Sequence, residues 1–216
     1  MATWGVHIRV AEKLLKMNFD FDKEAFTVGN LGPDCNKANE DWTEFDPPQK
    51  VTHWVTEDKK IDADRFFDTY LRTNYQDKKK ESFLIGYYAH LLSDIEWSKL
   101  VEHKKRTSCL YDQLNIDKDF IWEIKKDWYD LDHLYFRKNS DSFFHTSLKY
   151  LKEFPEYIEY FPKNSVINKL EYIINFYVSF EGNLDREYKY LTEDEMNLFV
   201  NRTADLISNI FIKKGF

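Results

Sequence analysis

The stretch FLIGYYAHLLSDIEW, residues 83–97, decides the fold class. Phe83, Tyr87, His90, Asp94 and Trp97, continued by Val101, recur at steps of three and four, the spacing of one helix face. The adjoining stripe of Leu84, Tyr88, Leu91 and Ile95 is apolar as well. A helix apolar on both flanks is buried, so the pattern predicts a core helix over 80–104 with His90 and Asp94 one turn apart inside it. A carboxylate there needs a partner. Either the two side chains form a buried hydrogen-bonded pair, or they converge on one metal ion, as i and i+4 side chains can.

Working outward, the same period runs through residues 3–17, where Val6, Val10, Leu14 and Met17 lie beside Trp4, Ile8, Ala11 and Leu15. Further helices are predicted at about 61–76, 118–137, 142–153, 164–181 and 193–212. Thr192 and Glu195 form a capping box for the last, and Gly182 and Gly215 sit where helices should stop. Residues 29–54 break the pattern with Gly29-Asn30-Leu31-Gly32-Pro33-Asp34 and Pro47-Pro48. Loops of this length inside compact domains are often functional. The expectation is an all-α, single-domain helical bundle over residues 1–216. Its long loop should lie across the ends of the helices that carry His7 and His90.

Composition narrows the function classes. Of 216 residues, 43% are hydrophobic and 32% charged, which excludes a disordered chain. Six Gly and five Pro argue against a turn-dense β sandwich and against a Gly-rich nucleotide fold. The net charge of −7 attracts neither long nucleic acid nor an anionic membrane. An acidic protein can still act on phosphate esters where metal ions supply local positive charge. Cys35 and Cys109 form no disulfide framework and suit a reducing compartment. No apolar run reaches the ~18 residues of a membrane span, and the first residues carry no secretion pattern. A cytoplasmic protein without a transmembrane segment is expected.

Three more positions join His90 and Asp94. His7 lies on the apolar face of the first helix, Asp34 follows Gly-Pro in a tight turn, and His53 precedes Trp54 at the end of the Pro-Pro loop. Singly, these read as a core histidine, a turn residue and a surface histidine. Together, three His and two Asp form an N/O set for one or two divalent metals. On the helix at 118–137, Glu123, Asp127 and Asp130 share a face, with His133 one turn beyond Asp130. They are either a solvated acidic face paired with Lys125, Lys126 and Arg137, or a source of support for the metal site from Asp130 or His133. Asn39-Glu40-Asp41-Trp42 could line the pocket, and Trp42, Trp54 and Trp97 could shape an apolar wall, with Trp97 read first as core. His103 and His145 read as surface residues.

The ordered set His7 in TWGVHIRVA, Asp34 in GNLGPD, His53 in THW, and His90 with Asp94 in GYYAHLLSD resembles the zinc-dependent phospholipase C family. The P1-type nucleases share that fold more distantly. The likeness covers about the first hundred residues. It implies an all-α fold in which Asp34, His53, His90 and Asp94 hold one metal. Asp94 then bridges to a second metal, which His7 also binds, and Asp34 orients or deprotonates the attacking water. The chain departs from the family in two places. Met1-Ala2-Thr3 precede Trp4, where the secreted enzymes present the amino group of an N-terminal Trp. The later histidines and His-x-x-x-Glu that hold a third metal are not found. The resemblance thus implies one or two ions, zinc first, with manganese, iron or cobalt also suited to mixed His and Asp ligands.

The leading expectation is a metal-dependent hydrolase of small phosphoesters. A helical phosphohydrolase of the HD type ranks lower, because Asp132-His133 is the reverse of the adjacent His-Asp pair which that class requires. The non-enzymatic alternative is a helical metal-binding or interaction protein whose ligands serve stability.

Overall fold

The structure is a computed structural model that describes residues 1–41 and 43–216. Trp42, expected near the pocket, lies outside the described residues. Helix accounts for 61% of the chain and strand for 3%, so the all-α class holds. The helices are α1 (Trp4–Leu14), α2 (Lys23–Gly29), α3 (Gln49–Thr52), α4 (Ala63–Tyr70), α5 (Lys78–Thr107), α6 (Ile121–Lys138), α7 (Phe143–Thr146), α8 (Ser165–Val178) and α9 (Glu193–Lys214).

Helix α5 is the axis of the fold. Asp77 starts it by accepting from the backbone N–H groups of Lys79 and Lys80 at 2.9 and 3.1 Å. Lys104, Lys105 and Arg106 complement the dipole of its last turn. Thirty residues give it a length of about 45 Å, and Ser82–Leu91 is buried on every side, as the double apolar stripe predicts. Helix α1 is packed as deeply, with nine of its eleven residues buried, and Thr3 caps it through Val6 N–H at 3.4 Å. The Thr192–Glu195 capping box opens α9, and Gly215, at φ +91°, closes it in the left-handed region.

Helix α2 is absent from the sequence expectation. It spans seven residues, too few to show a period, although Asp22 caps it by accepting from Ala25 N–H at 2.9 Å. It crosses α5 closely at two glycines. A Cβ on Gly29 would lie 2.0 Å from the Phe83 carbonyl oxygen, and one on Gly86 would lie 2.1 Å from that of Phe26. Nothing larger than glycine fits at either crossing point.

The 29–54 segment is more structured than a loop. Gly32–Asp34 is a 3-10 turn, Lys37–Ala38 (β1) pairs antiparallel with Phe45–Asp46 (β2), and α3 follows. The helix expected over 142–153 is corrected: only α7 and a 3-10 turn at Leu148–Tyr150 form there. Thr146 Oγ1 donates to the Ser142 carbonyl at 3.0 Å, so local hydroxyl bonding competes with continued helix. The helix expected over 61–76 stops at Tyr70. Gly182 ends nothing, because α8 closes at Val178 with Ser179 as its cap.

No helix among the described residues is long and apolar enough to cross a membrane.

Candidate metal centre

All five expected ligands meet at one place, carried there by four separate elements. His7 comes from the middle of α1, and His90 and Asp94 from the buried half of α5. Asp34 ends the 3-10 turn after α2, where its N–H bonds the Leu31 carbonyl at 3.1 Å. His53 is the C-cap of α3. Tyr87 fixes that last segment: its hydroxyl donates to the Thr52 carbonyl and lies 2.8 Å from the Tyr160 hydroxyl. Two overlapping groups result, His7–His90–Asp94 and Asp34–His53–His90, with His90 in both.

Hydrogen bonds on the far side of each ring decide which nitrogen faces the centre. The Asn30 carbonyl can only accept, so His90 Nδ1 donates to it at 2.9 Å and Nε2 carries the lone pair. Thr52 Oγ1 is directed at the Gln49 carbonyl at 3.4 Å, which makes His53 Nδ1 the donor to Thr52 Oγ1 at 3.0 Å. Both Nε2 lone pairs therefore point inward, and the two atoms stand 3.3 Å apart. Two lone pairs at that separation repel unless a cation lies between them.

The carboxylates complete the set. Asp34 Oδ1 lies 3.3 Å from His53 Nε2, and Asp94 Oδ2 lies 3.5 Å from His90 Nε2 and 3.7 Å from His53 Nε2. With metal bonds of about 2.0–2.1 Å, the edge of a ligand tetrahedron is ~3.3 Å, which matches the His53–His90 and His53–Asp34 separations, while Asp94 groups with His7 and His90. His7 flanks them, its ring stacked on His90 with centroids 3.7 Å apart. His7 Nε2 lies 3.5 Å from Asp94 Oδ1, and neither His7 nitrogen has a hydrogen-bond partner. Asp94 Oδ2 is likewise buried without one. Orphaned buried polar atoms of this kind are rare and call for a ligand.

The electrostatics agree at His7 and at both carboxylates, whereas at His90 burial lowers the imidazole but the adjacent Asp94 outweighs it and raises the group. Burial, reinforced by the neighbouring His90, lowers His7 to about 4 and keeps it neutral, as a metal ligand must be. Burial raises a carboxyl, yet the surrounding imidazoles of His53, His90 and His7 outweigh it at Asp34 and hold that group at about 2. Asp94 is held well below the carboxylate range in the same way by His7 and His90. Both carboxylates are ionised across the neutral range.

Ala2 N–H donates to Asp94 Oδ1 at 2.7 Å. That bond fixes the carboxylate and leaves Oδ2 for the centre.

The acidic face of α6 requires correction on both readings. Asp127 and Asp130 are buried, and their partner is Arg186, which reaches Asp127 Oδ1 at 2.6 Å and Asp130 Oδ2 at 2.6 Å. Lys125, Lys126 and Arg137 do not pair with them; Arg137 bonds Asp185 instead. Neither Asp130 nor His133 joins the ligand groups, and the His133 ring stacks on Phe180 with centroids 3.8 Å apart. His103 is exposed, but His145 is half-buried, with Nε2 donating to the Phe136 carbonyl at 3.0 Å. Trp97 is core, edge-on to Trp128 and Phe199, and Trp54 packs on Phe66 and Tyr70.

Sequence reasoning missed Asp132. It is fully buried on the inner face of α6 and accepts from the Tyr177 hydroxyl at 2.9 Å. Burial raises its carboxyl to about 6. Its proximity to α1 leaves no room for a side chain at Gly5, whose Cβ would sit 2.2 Å from Asp132 Cγ.

The centre is nearly closed. The Asp34 side chain is 13% exposed, against 0–2% for the other four, so solvent reaches the group from the Asp34 side. Comparison of the chain with protein-family models, with curated proteins and with solved structures finds no match.

Proposed function

We propose that the protein is a metal-dependent hydrolase of phosphoester bonds. One observation carries the reading: two imidazole Nε2 atoms with inward lone pairs stand 3.3 Å apart between two ionised carboxylates. The ordered resemblance to the zinc-dependent phospholipase C family supports it. Asp34, His53, His90 and Asp94 would hold one divalent ion, zinc first, and His7 with Asp94 a second.

Bound there, the metal would neutralise charge on the phosphate oxygens and lower the pKa of a water. The remaining work falls to the chain itself. Asp34, ionised and on the open side, accepts a hydrogen bond from the attacking water and aims its oxygen at phosphorus. The new P–O bond forms to that oxygen as the bond to the leaving group breaks. The water's proton passes through the Asp34 carboxylate to the departing alkoxide, which leaves as an alcohol. Asn30 and Thr52 keep the imidazoles in the tautomer that faces inward, a supporting role that ordinarily affects metal affinity 10–100-fold.

The near-complete burial of four of the five ligands favours a second reading, a closed structural metal site. Turnover separates the two. Bis(p-nitrophenyl) phosphate, assayed with zinc- and manganese-loaded protein, should be hydrolysed by the wild type and not by Asp34→Asn. Metal binding without hydrolysis would establish the structural reading.

A further inference from the structure

Two residues after His7, Arg9 leaves α1 about 200° further round the helix, on the face turned from the metal centre. It is only 5% exposed and lines a cavity of about 340 Å³ between α1, the end of α6 and the start of α9. None of the five candidate metal ligands lines this cavity.

Arg9 has partners but no counter-charge. Nη2 donates to Asn197 Oδ1, and the guanidinium lies over the Tyr135 ring, 4.4 Å from its centroid. A guanidinium carries five N–H donors, and only that one is used here among the described residues. Asp132, Glu12 and Glu193 act on it from a distance, yet none forms an ion pair with it. Each is engaged elsewhere: Asp132 with the Tyr177 hydroxyl, Glu12 with the Tyr135 hydroxyl and Phe143 N–H, and Glu193 with Lys138. Buried charges are ordinarily paired. Arg186 shows the contrast, because it reaches two carboxylates at 2.6 Å.

The rest of the wall has the same sign. Lys13 and Lys16 follow Arg9 at steps of four and three, on one stripe of α1 and the turn after it. Both are exposed, line the cavity and form no ion pair among the described residues. Asn197, its Oδ1 taken by Arg9, has only its amide N–H₂ left to offer, which is a donor. Glu12 is the carboxylate on this wall, and both its oxygens already accept hydrogen bonds. Three cations against one engaged carboxylate suit a dianion, and Arg with Lys is the pairing that binds phosphate oxygens. The volume is at the small end for ligand pockets, which suits a compact anion.

We infer that this cavity is an anion site that takes a phosphate group, held by the Arg9 guanidinium and the Asn197 amide with Lys13 and Lys16 beside them. Its ligand is inorganic phosphate or a small phosphate monoester. The site is separate from the metal centre and does not rest on the hydrolase reading.

Calorimetric titration of inorganic phosphate into the full chain tests it, for wild type, Arg9→Gln, the double variant Lys13→Glu/Lys16→Glu, and Lys126→Glu/Lys152→Glu. The last makes the same charge change at exposed positions outside the cavity. Phosphate should bind the wild type and weaken at least tenfold in Arg9→Gln and in Lys13→Glu/Lys16→Glu, with no change in Lys126→Glu/Lys152→Glu. Lys13 and Lys16 are exposed, so their variant reports on the site even where Arg9→Gln folds poorly. Acetate should bind the wild type at least tenfold more weakly than phosphate. Prior treatment with chelator should leave the phosphate affinity unchanged. Glycerol 3-phosphate binding tighter than inorganic phosphate identifies a monoester as the ligand, and the reverse identifies the free ion; either supports the site. No binding to the wild type, equal affinity in all four proteins, or equal losses in the two double variants would overturn the inference. So would acetate binding as tightly as phosphate, or phosphate binding that chelator abolishes.

Discussion

His90 donates through Nδ1 to the carbonyl of Asn30 at 2.9 Å, and this one bond turns its Nε2 toward His53 and Asp94. Asn30 is the C-cap of α2, and α2 lies against α5 only because Gly29 and Gly86 leave room. Helix packing thus sets the ring orientation in the centre.

Gly86→Ala tests that chain of cause. The added Cβ would fall 2.1 Å from the Phe26 carbonyl oxygen and 3.0 Å from Asn30 N, both backbone atoms that cannot step aside alone. Overpacking of this kind costs about 1–3 kcal/mol or more. Urea unfolding should show a lower midpoint than the wild type, and metal affinity should fall as well, because the Asn30 carbonyl moves. An unchanged midpoint would contradict the close crossing.

His90 belongs to both ligand groups, whereas His7 and His53 each belong to one. Metal stoichiometry should follow that arrangement. His90→Ala is expected to lose all bound metal. His7→Ala should keep the ion held by Asp34, His53, His90 and Asp94, and His53→Ala should weaken that ion while leaving His7, His90 and Asp94 in place. Plasma emission spectrometry of the dialysed variants measures each case; identical losses from His7→Ala and His90→Ala would contradict the shared role.

Asp132 should leave a mark on the pH dependence of stability. Its carboxyl is raised by burial to about 6, from an ordinary value of 3.8. Between about pH 4 and 6 the folded protein keeps a proton that the unfolded chain has released, so this group's contribution to stability falls as pH rises through that window. The full loss, two units or so, is on the order of 3 kcal/mol. Asp132→Asn should remove it. Thermal unfolding of the variant relative to wild type should therefore show a gain that grows from pH 4 to pH 6 and is then constant. His7, whose lowered value acts in the opposite sense, is common to both proteins and cancels. A difference that does not change with pH would contradict a raised Asp132.

Much of this centre is legible in the sequence because its ligands sit on strong local signals. His90 and Asp94 lie on a helix whose double apolar stripe cannot face water, and Asp34 and His53 lie beside Gly-Pro and Pro-Pro turns that hold their shape locally. The remainder depends on tertiary partners that no short window contains. Arg186, 56 residues beyond Asp130, turns the acidic face of α6 into a buried ion pair. Asp132 is one position away from the apparent polar stripe, and only the approach of Gly5 and Tyr177 makes it a core residue. The seven residues of α2 are too short for periodicity, though Asp22 ahead of Ala25 and Phe26 is a capping signal that could have found it.

The claim that a metal ion holds these side chains together is tested most directly by one comparison of melting temperatures, wild type against Asp94→Ala, each with and without chelator. Metal bound only to the folded state stabilises it by RT ln(1 + [M]/Kd), so removing the ion should lower the wild type alone. In the variant the buried carboxylate is gone and His90 has lost its partner, so chelator should have nothing to remove. Zinc-loaded wild type should melt well above Asp94→Ala, and chelator should bring the two together. Equal responses to chelator, or none in either protein, would leave His90 and Asp94 as an ordinary buried pair and contradict the metal centre.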